Sequence, residues 1–250
     1  MRSEAPKDHV LINKKHWDAI AKHERSNKTD MFKQIRDGAS YIEKWEPKIG
    51  SYLKRIKGKK IIVPQFGDGL VMLACAKKGA VVTGVDLSSE QIRLAREAAA
   101  YCGVDINLVE ADWQNLPKSI PDNHFDLAVT ECGIFIWIEK LDVWMRNAYR
   151  VLKKGGKLIV SDFHPLSIIT DEKDGKVTFR RSYFDRHPEV YQLEKNVPPS
   201  IEFRWKLSDV INAAIRAGFQ IDCVEEYYVE REDKKVPLLP TDFLLAATKG

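Results

Sequence analysis

Between Lys60 and Asp86 the chain carries an apolar stretch (Ile61, Ile62, Val63) into a Phe66-Gly67-Asp68-Gly69 turn. A helical segment follows, and then a second apolar stretch that stops on Asp86. A strand that breaks at a glycine-rich turn into a helix and returns as a strand ending in a carboxylate is the first unit of a parallel α/β sheet. Glycines at such a turn let backbone approach a ligand closely, and an acid at the end of the second strand can accept hydrogen bonds from sugar hydroxyls. Together they imply a ligand that carries a nucleoside.

The same alternation continues. Strands are expected at 60–64, 81–85, 107–110, 125–130 and 157–163, and helices at 69–78, from Ser88 to near Cys102, and over the face formed by Leu141, Trp144, Ala148 and Val151. Ser88 and Gln91 form a Ser-x-x-Gln capping box, and Gly103 and Gly155-Gly156 are helix stops. Five such repeats imply a mainly parallel sheet with right-handed crossovers and helices on both faces. Residues 164–206 break the rhythm with aromatics, Arg and Pro and read as a lid-like insertion. Ser208 then caps a helix that stops at Gly218. Strands at 220–229 and 241–248, joined by the charged turn 231–235, end the chain. Upstream, residues 1–10 read as frayed, Asn13 as the cap of a helix bearing Trp17, Ile20 and Ala21, and 42–56 as a second helix. The expected division is a helical cap over 1–58 and a main domain over 59–250.

The 250 residues are enough for that division, and 44% hydrophobic with 30% charged residues is an ordinary globular composition. The net charge of +4 is too small to argue for nucleic acid, but it is unevenly placed. Residues 1–60 hold 16 Lys/Arg against 8 Asp/Glu, and the rest hold 24 against 28. The basic excess reads as a solvated helical surface or as a rim that guides an anionic substrate. Cys75, Cys102, Cys132 and Cys223 form no CxxC pair and read as buried thiols, with no metal site. Without an apolar leader or a run of about 18 apolar residues, the expected location is cytoplasmic.

In order along the chain stand Gly67-Asp68-Gly69, Val-Thr-Gly-Val-Asp-Leu-Ser through Asp86, Glu-Ala-Asp-Trp through Asp112, Phe-Asp-Leu-Ala-Val from 125, and Arg-Val-Leu-Lys-Lys-Gly-Gly-Lys-Leu from 150. In these five motifs, at these spacings, the chain resembles the class I S-adenosylmethionine-dependent methyltransferases over about residues 10–250. The resemblance implies a Rossmann-like doubly wound sheet of seven strands, mainly parallel, with the last strand antiparallel. S-adenosyl-L-methionine would be the cofactor. Gly67 and Gly69 would pass under its amino acid and sulfonium end, Asp86 would take the ribose hydroxyls and Leu87 would lie beside the adenine. Asp112 would hold the adenine amino group, and Trp113 would lie against the ring. Thr130 to Gly133 would floor the transferring methyl. Asp86 as a helix-initiating acid and Asp112 as a turn former are the plain alternatives; Trp137 and Trp144 read as packing.

The chain departs from the family turn, acid-x-Gly-x-Gly-x-Gly, with Val63 at the acid and Gln65 at the first glycine. Gln65 is expected to hydrogen-bond the cofactor's tail in compensation. His164, past the fifth strand, is the expected general base, against the alternative of a histidine that bonds backbone and shapes the lid. His16, His23 and His187 are lesser choices. Acceptor contacts are expected from Trp17, Phe135, Arg181 and Tyr183, and the Arg-rich segment 179–187 suggests a planar or anionic small molecule. A nicotinamide fingerprint would need glycine where Met72 stands. The main rival is a methyltransferase-like protein without transfer activity, either a binding subunit or a cyclase-type enzyme.

Overall fold

Period-two burial in the strands splits the interior into two apolar layers, one on each side of a single sheet. The computed structural model describes residues 8–24, 29–38, 42, 47–229 and 236–250. In chain order its strands are β1 (Lys60–Pro64), β2 (Val81–Asp86), β3 (Ile106–Glu110), β4 (Phe125–Glu131) and β5 (Leu152–Phe163), then the short β6 (Thr170–Lys173), β7 (Lys176–Phe179), β8 (Glu189–Tyr191) and β9 (Ser200–Glu202), and last β10 (Phe219–Tyr227) and β11 (Asp242–Lys249). Seven of them form one sheet in the order β10-β11-β5-β4-β1-β2-β3. β11 runs antiparallel to both neighbours, β5 and β10, while β1 to β5 pair in parallel. The expected seven-stranded, mainly parallel sheet with an antiparallel last strand is the observed one.

Ile61, Val63, Leu127, Val129, Ile159, Leu244 and Ala246 face one layer with helices α3 (Leu70–Lys77) and α4 (Ser89–Cys102). Their alternates Ile62, Ala128, Leu158, Val160, Leu245 and Ala247 face the other, with α5 (Leu141–Val151) and α6 (Leu207–Ala217). The Ser88 hydroxyl accepts from Gln91 N–H as the cap of α4, as its box predicts. Ser208 is not the cap of α6. Lys206 holds that position, and its N–H donates to the Asp209 carboxylate, which can reach back from the first turn.

The N-terminal segment differs most from expectation. α1 spans His9–Glu24, so Asn13 lies inside it, and residues 9 and 10 are helical rather than frayed. α2 (Thr29–Arg36) was not anticipated. The helix expected over 42–56 is a single turn, Pro47–Gly50, and a 3-10 turn, Ser51–Leu53, with residues 43–46 outside the described set. Ile35, Ile42, Ile49, Leu53 and Ile56 are all buried in the α3/α4 layer, so this segment shares the main core. The insertion forms two hairpins, β6–β7 and β8–β9. The turn 231–235 lies outside the described residues.

Two buried polar groups hold loops to this frame. The Asn13 amide donates to the Ile201 carbonyl at 3.0 Å and accepts from Ile201 N–H at 2.7 Å, which clamps α1 to β9. The Asp162 carboxylate accepts from the N–H groups of Gly133 (2.6 Å), Ile134 (3.0 Å), Phe135 (2.9 Å) and Phe163 (2.8 Å) and so folds the loop after β4 onto β5. Burial pushes this carboxyl up to about 6, against the pull of those four donors. Replacing Asp162 by Ala would leave several buried N–H groups unpaired, and urea denaturation should show a loss of about 3 kcal/mol. Unchanged stability would mean that the loop holds its shape without the acid. Asn13→Ala should cost about 2 kcal/mol and speed hydrogen exchange at the Ile201 amide above that of the other strands.

Candidate active site

At the carboxyl ends of β1, β2 and β4, where ligands bind open parallel sheets, a cavity of about 270 Å³ opens. One side is built from the β1 turn (Gln65 to Asp68), from Asp86 and Leu87 after β2, and from Ala111 to Gln114 after β3. The facing side comes from α1 (His9, Val10, Asn13, Trp17) and from the loop after β4, Glu131 to Ile134 with Trp137 and Ile138.

The glycine-rich turn carries three left-handed residues, Gln65 (φ 49°), Gly67 (φ 54°) and Gly69 (φ 76°). Gly67 lines the cavity, and a Cβ there would meet nothing within 4 Å, so its missing side chain leaves open space. Gly69 is different. A Cβ on it would lie 3.0 Å from Met72 Cε, and it caps the start of α3. Its left-handed φ of 76° favours glycine there, and it stands outside the cavity lining, away from the place expected for it. Gln65 does reach the cavity wall, but its amide is already engaged. Oε1 accepts from Trp144 Nε1–H at 2.6 Å, and Nε2 donates to the Ile134 carbonyl at 3.4 Å. The side chain therefore ties the turn to the opposite loop instead of presenting its amide to a ligand.

Asp86 is buried at the cavity wall and accepts from Gly67 N–H at 3.1 Å and Ser88 N–H at 2.9 Å. It therefore starts α4 and also closes the glycine turn against β2. Burial pushes its carboxyl up to about 6; the N–H groups of Ser88, Gly67 and Leu87, and then Lys14, pull the other way. Lys14 lies outside the lining set. Its ammonium donates to the Leu87 carbonyl, Ser89 Oγ and Glu110 at 2.9 to 3.1 Å. Asp18, one turn on, accepts from Ser88 Oγ and Glu90 N–H, so α1 is stitched to the loop that carries Asp86. Asp112 lines the cavity while capping the 3-10 turn Trp113–Asn115 through Gln114 N–H. Trp113 touches the wall but is 2% exposed, and its indole N–H donates to the Trp144 carbonyl. Its ring is packed in the core and reaches the cavity wall only at its margin.

Other expected residues lie elsewhere. Thr130 is buried, with its hydroxyl donating to the Pro64 carbonyl, and the floor begins at Glu131. His164 is 2% exposed and does not line the cavity. Its Nδ1 accepts from Leu166 N–H, so Nε2–H donates to Glu226 at 2.8 Å, and burial lowers its pKa. Both nitrogens hold the segment after β5 in place, which is the lid-shaping alternative and not a base. His16 contacts the Pro198 carbonyl, and His187 is exposed beside Asp185; the side chain of His23 lies outside the described set.

Phe135 packs on Trp144 and Phe243 and, with Tyr183, borders a second cavity of about 30 Å³ under the insertion. Arg181 pairs with Glu189 at 3.0 Å, and Arg186 with Asp209 at 2.7 Å. Of the four expected acceptor contacts only Trp17 reaches the main cavity. The insertion supports that cavity's wall from outside, through Phe203 N–H to the Ile136 carbonyl and Trp205 Nε1–H to the Ile138 carbonyl. Cys75 and Cys102 are buried as expected, but Cys132 is exposed and Cys223 half-buried. Cys132 follows the last residue of β4 in a left-handed conformation and faces the cavity.

His9, Val10, Asp68, Gln114 and Ile138 were not anticipated. For the first two there was a signal: residues 9, 13 and 17 stand at i, i+4, i+8 and residues 10, 13 and 17 at i, i+3, i+7, on one helical face.

Similarity to known proteins agrees with this geometry. A methyltransferase-domain family model matches residues 64–160. A methyltransferase of Bacillus subtilis is 32% identical over 174 residues, which is 66% of this chain and 67% of that protein. A demethylmenaquinone methyltransferase of Thermus thermophilus is 36% identical over 99 residues, 40% of this chain and 44% of that one. The solved structure of an S-adenosylmethionine-dependent methyltransferase from Mesorhizobium loti superimposes with a TM-score of 0.66 at 25% identity, covering 86% of this chain and all of that one. The chain belongs to the class I S-adenosylmethionine-dependent methyltransferases, an enzyme family whose cofactor is S-adenosyl-L-methionine.

Proposed function

We propose that the protein methylates a small molecule held between the loop after β4 and helix α1, with the cofactor along the β1 to β3 side of the same cavity. One observation carries the reading. Gly67 with its open space, the buried acceptor Asp86 and the carboxylate of Asp112 share a single cavity with the indoles of Trp17 and Trp137 on the facing side.

The residues present fit the cofactor. Asp86 would accept the ribose hydroxyls, Asp112 would accept from the adenine amino group, and Gly67 would let backbone lie against the methionine end. Bound there, S-adenosylmethionine supplies a methyl on a cationic sulfur, which leaves as a neutral thioether when an acceptor lone pair takes the methyl. The chain's own part is alignment and exclusion of water. α1 supplies it by lying over the cavity, fixed by Lys14 and Asp18 at one end of the site and by Asn13 at the other. With both nitrogens of His164 committed to structure, no role falls to it.

Calorimetry with S-adenosylhomocysteine tests the reading. Asp86→Ala should weaken binding by about 1.5–3 kcal/mol, roughly ten- to hundredfold, alongside a loss of stability from the freed Gly67 and Ser88 N–H groups. The carboxylate form is the better acceptor, so affinity should be full at pH 7 and fall as pH drops through about 6. Affinity that is flat from pH 7 to 5 and insensitive to Asp86→Ala would place the ribose elsewhere.

A further inference from the structure

The described residues that line the main cavity include four carboxylates, Asp68, Asp86, Asp112 and Glu131, and neither Lys nor Arg. The basic residues that suggested an anionic acceptor point elsewhere. Arg180, Arg181 and Arg186 engage Asp171, Glu189 and Asp209 within the insertion and α6, and Lys14, outside the lining, bonds Leu87, Ser89 and Glu110. A carboxylate or phosphate on an acceptor bound beside Trp17 and Trp137 would give up its water and meet no Lys or Arg among the described lining residues. The cost of burying an unpaired charge outweighs what the apolar walls can return.

Those walls have a definite shape. On the side facing Asp86, Trp17 and Trp137 meet edge to face, with centroids 5.2 Å apart and planes at 79°, and Val10, Ile134 and Ile138 stand beside them. His16 packs against both indoles, which restrains the corner they form. Two rigid indole surfaces at nearly a right angle suit a flat ring that stacks on one and meets the edge of the other. Resting on the function proposed above, we infer that the methyl acceptor is a planar, uncharged aromatic molecule that binds in the Trp17–Trp137 corner, and that the site discriminates against anions. This replaces the anionic acceptor suggested by the basic residues of segment 179–187.

Two probes of the same ring system and opposite charge state test it. Protein saturated with S-adenosylhomocysteine is titrated by calorimetry at pH 7.5 with 2-naphthol, uncharged at that pH, and with 2-naphthoate. The expected result is naphthol binding at least roughly tenfold tighter than naphthoate. Trp137→Ala should weaken naphthol by about fivefold or more while homocysteine-adduct affinity stays unchanged. Glu131→Gln, which removes a charge and keeps the shape, should narrow the gap by strengthening naphthoate. Naphthoate binding as tightly as naphthol, or naphthol insensitive to Trp137→Ala, overturns the inference. Binding of S-adenosylhomocysteine with neither probe taken up overturns the corner alone, whereas failure to bind S-adenosylhomocysteine overturns the proposed function beneath it.

Discussion

Two buried carboxylates near the carboxyl ends of β2 and β5 gather the backbone N–H groups that shape the cavity, and much else in the molecule is arranged around them. Asp86 holds Gly67 and Ser88, and Asp162 holds Gly133, Ile134 and Phe135. Parallel strands end with unsatisfied donors in the loops that follow, and loops this close to a cavity have little water to satisfy them. A carboxylate can accept several such bonds at once, so one residue fixes a whole turn. Both acids have their pKa raised to about 6 by the burial this requires.

Between the two loops runs a side-chain link. Gln65, where the family has glycine, accepts from Trp144 and donates to the Ile134 carbonyl. Trp144 in turn receives the Trp113 indole N–H on its carbonyl and packs against Phe135. The glycine turn, the 3-10 turn after β3 and the loop after β4 are therefore joined through the α5 layer of the core. A substitution that looked like the loss of a cofactor contact is a gain in internal bracing, at the cost of a left-handed conformation that glutamine adopts less readily than glycine.

The sheet was legible because its signals are local. Strand periodicity, the Ser88 and Gln91 box, Gly103 and the position of Asp86 each depend on residues a few places apart. The cap and insertion were poorly legible because their structure comes from contacts distant in sequence. Asn13 reads as a helix cap by its type, yet its partner is Ile201, 188 residues away. His164 stands where a base could project into a cleft, but which way its ring turns was decided by Glu226 and the backbone of Leu166. The basic and aromatic residues of 179–187 read as a binding wall, and only their pairing with acids on β6, β8 and α6 shows the charge to be spent internally.

From the sequence alone came the order and type of the sheet elements, the five motifs, and with them the family and its cofactor, because turn geometry and hydrophobic period are properties of short segments. The tertiary structure alone decided which of the motif residues still have a surface facing the cavity. Gly67, Asp86, Leu87 and Asp112 do. Gly69 and Thr130 do not line it, and the Trp113 indole is buried, because neighbouring side chains and carbonyls take the contacts their types would otherwise offer a ligand. Tertiary structure also placed α1 over the cavity and brought Trp17 against Trp137, 120 positions along the chain. Charge and shape at the far wall depend on that docking, and docking is a sum over distant contacts that no local pattern encodes.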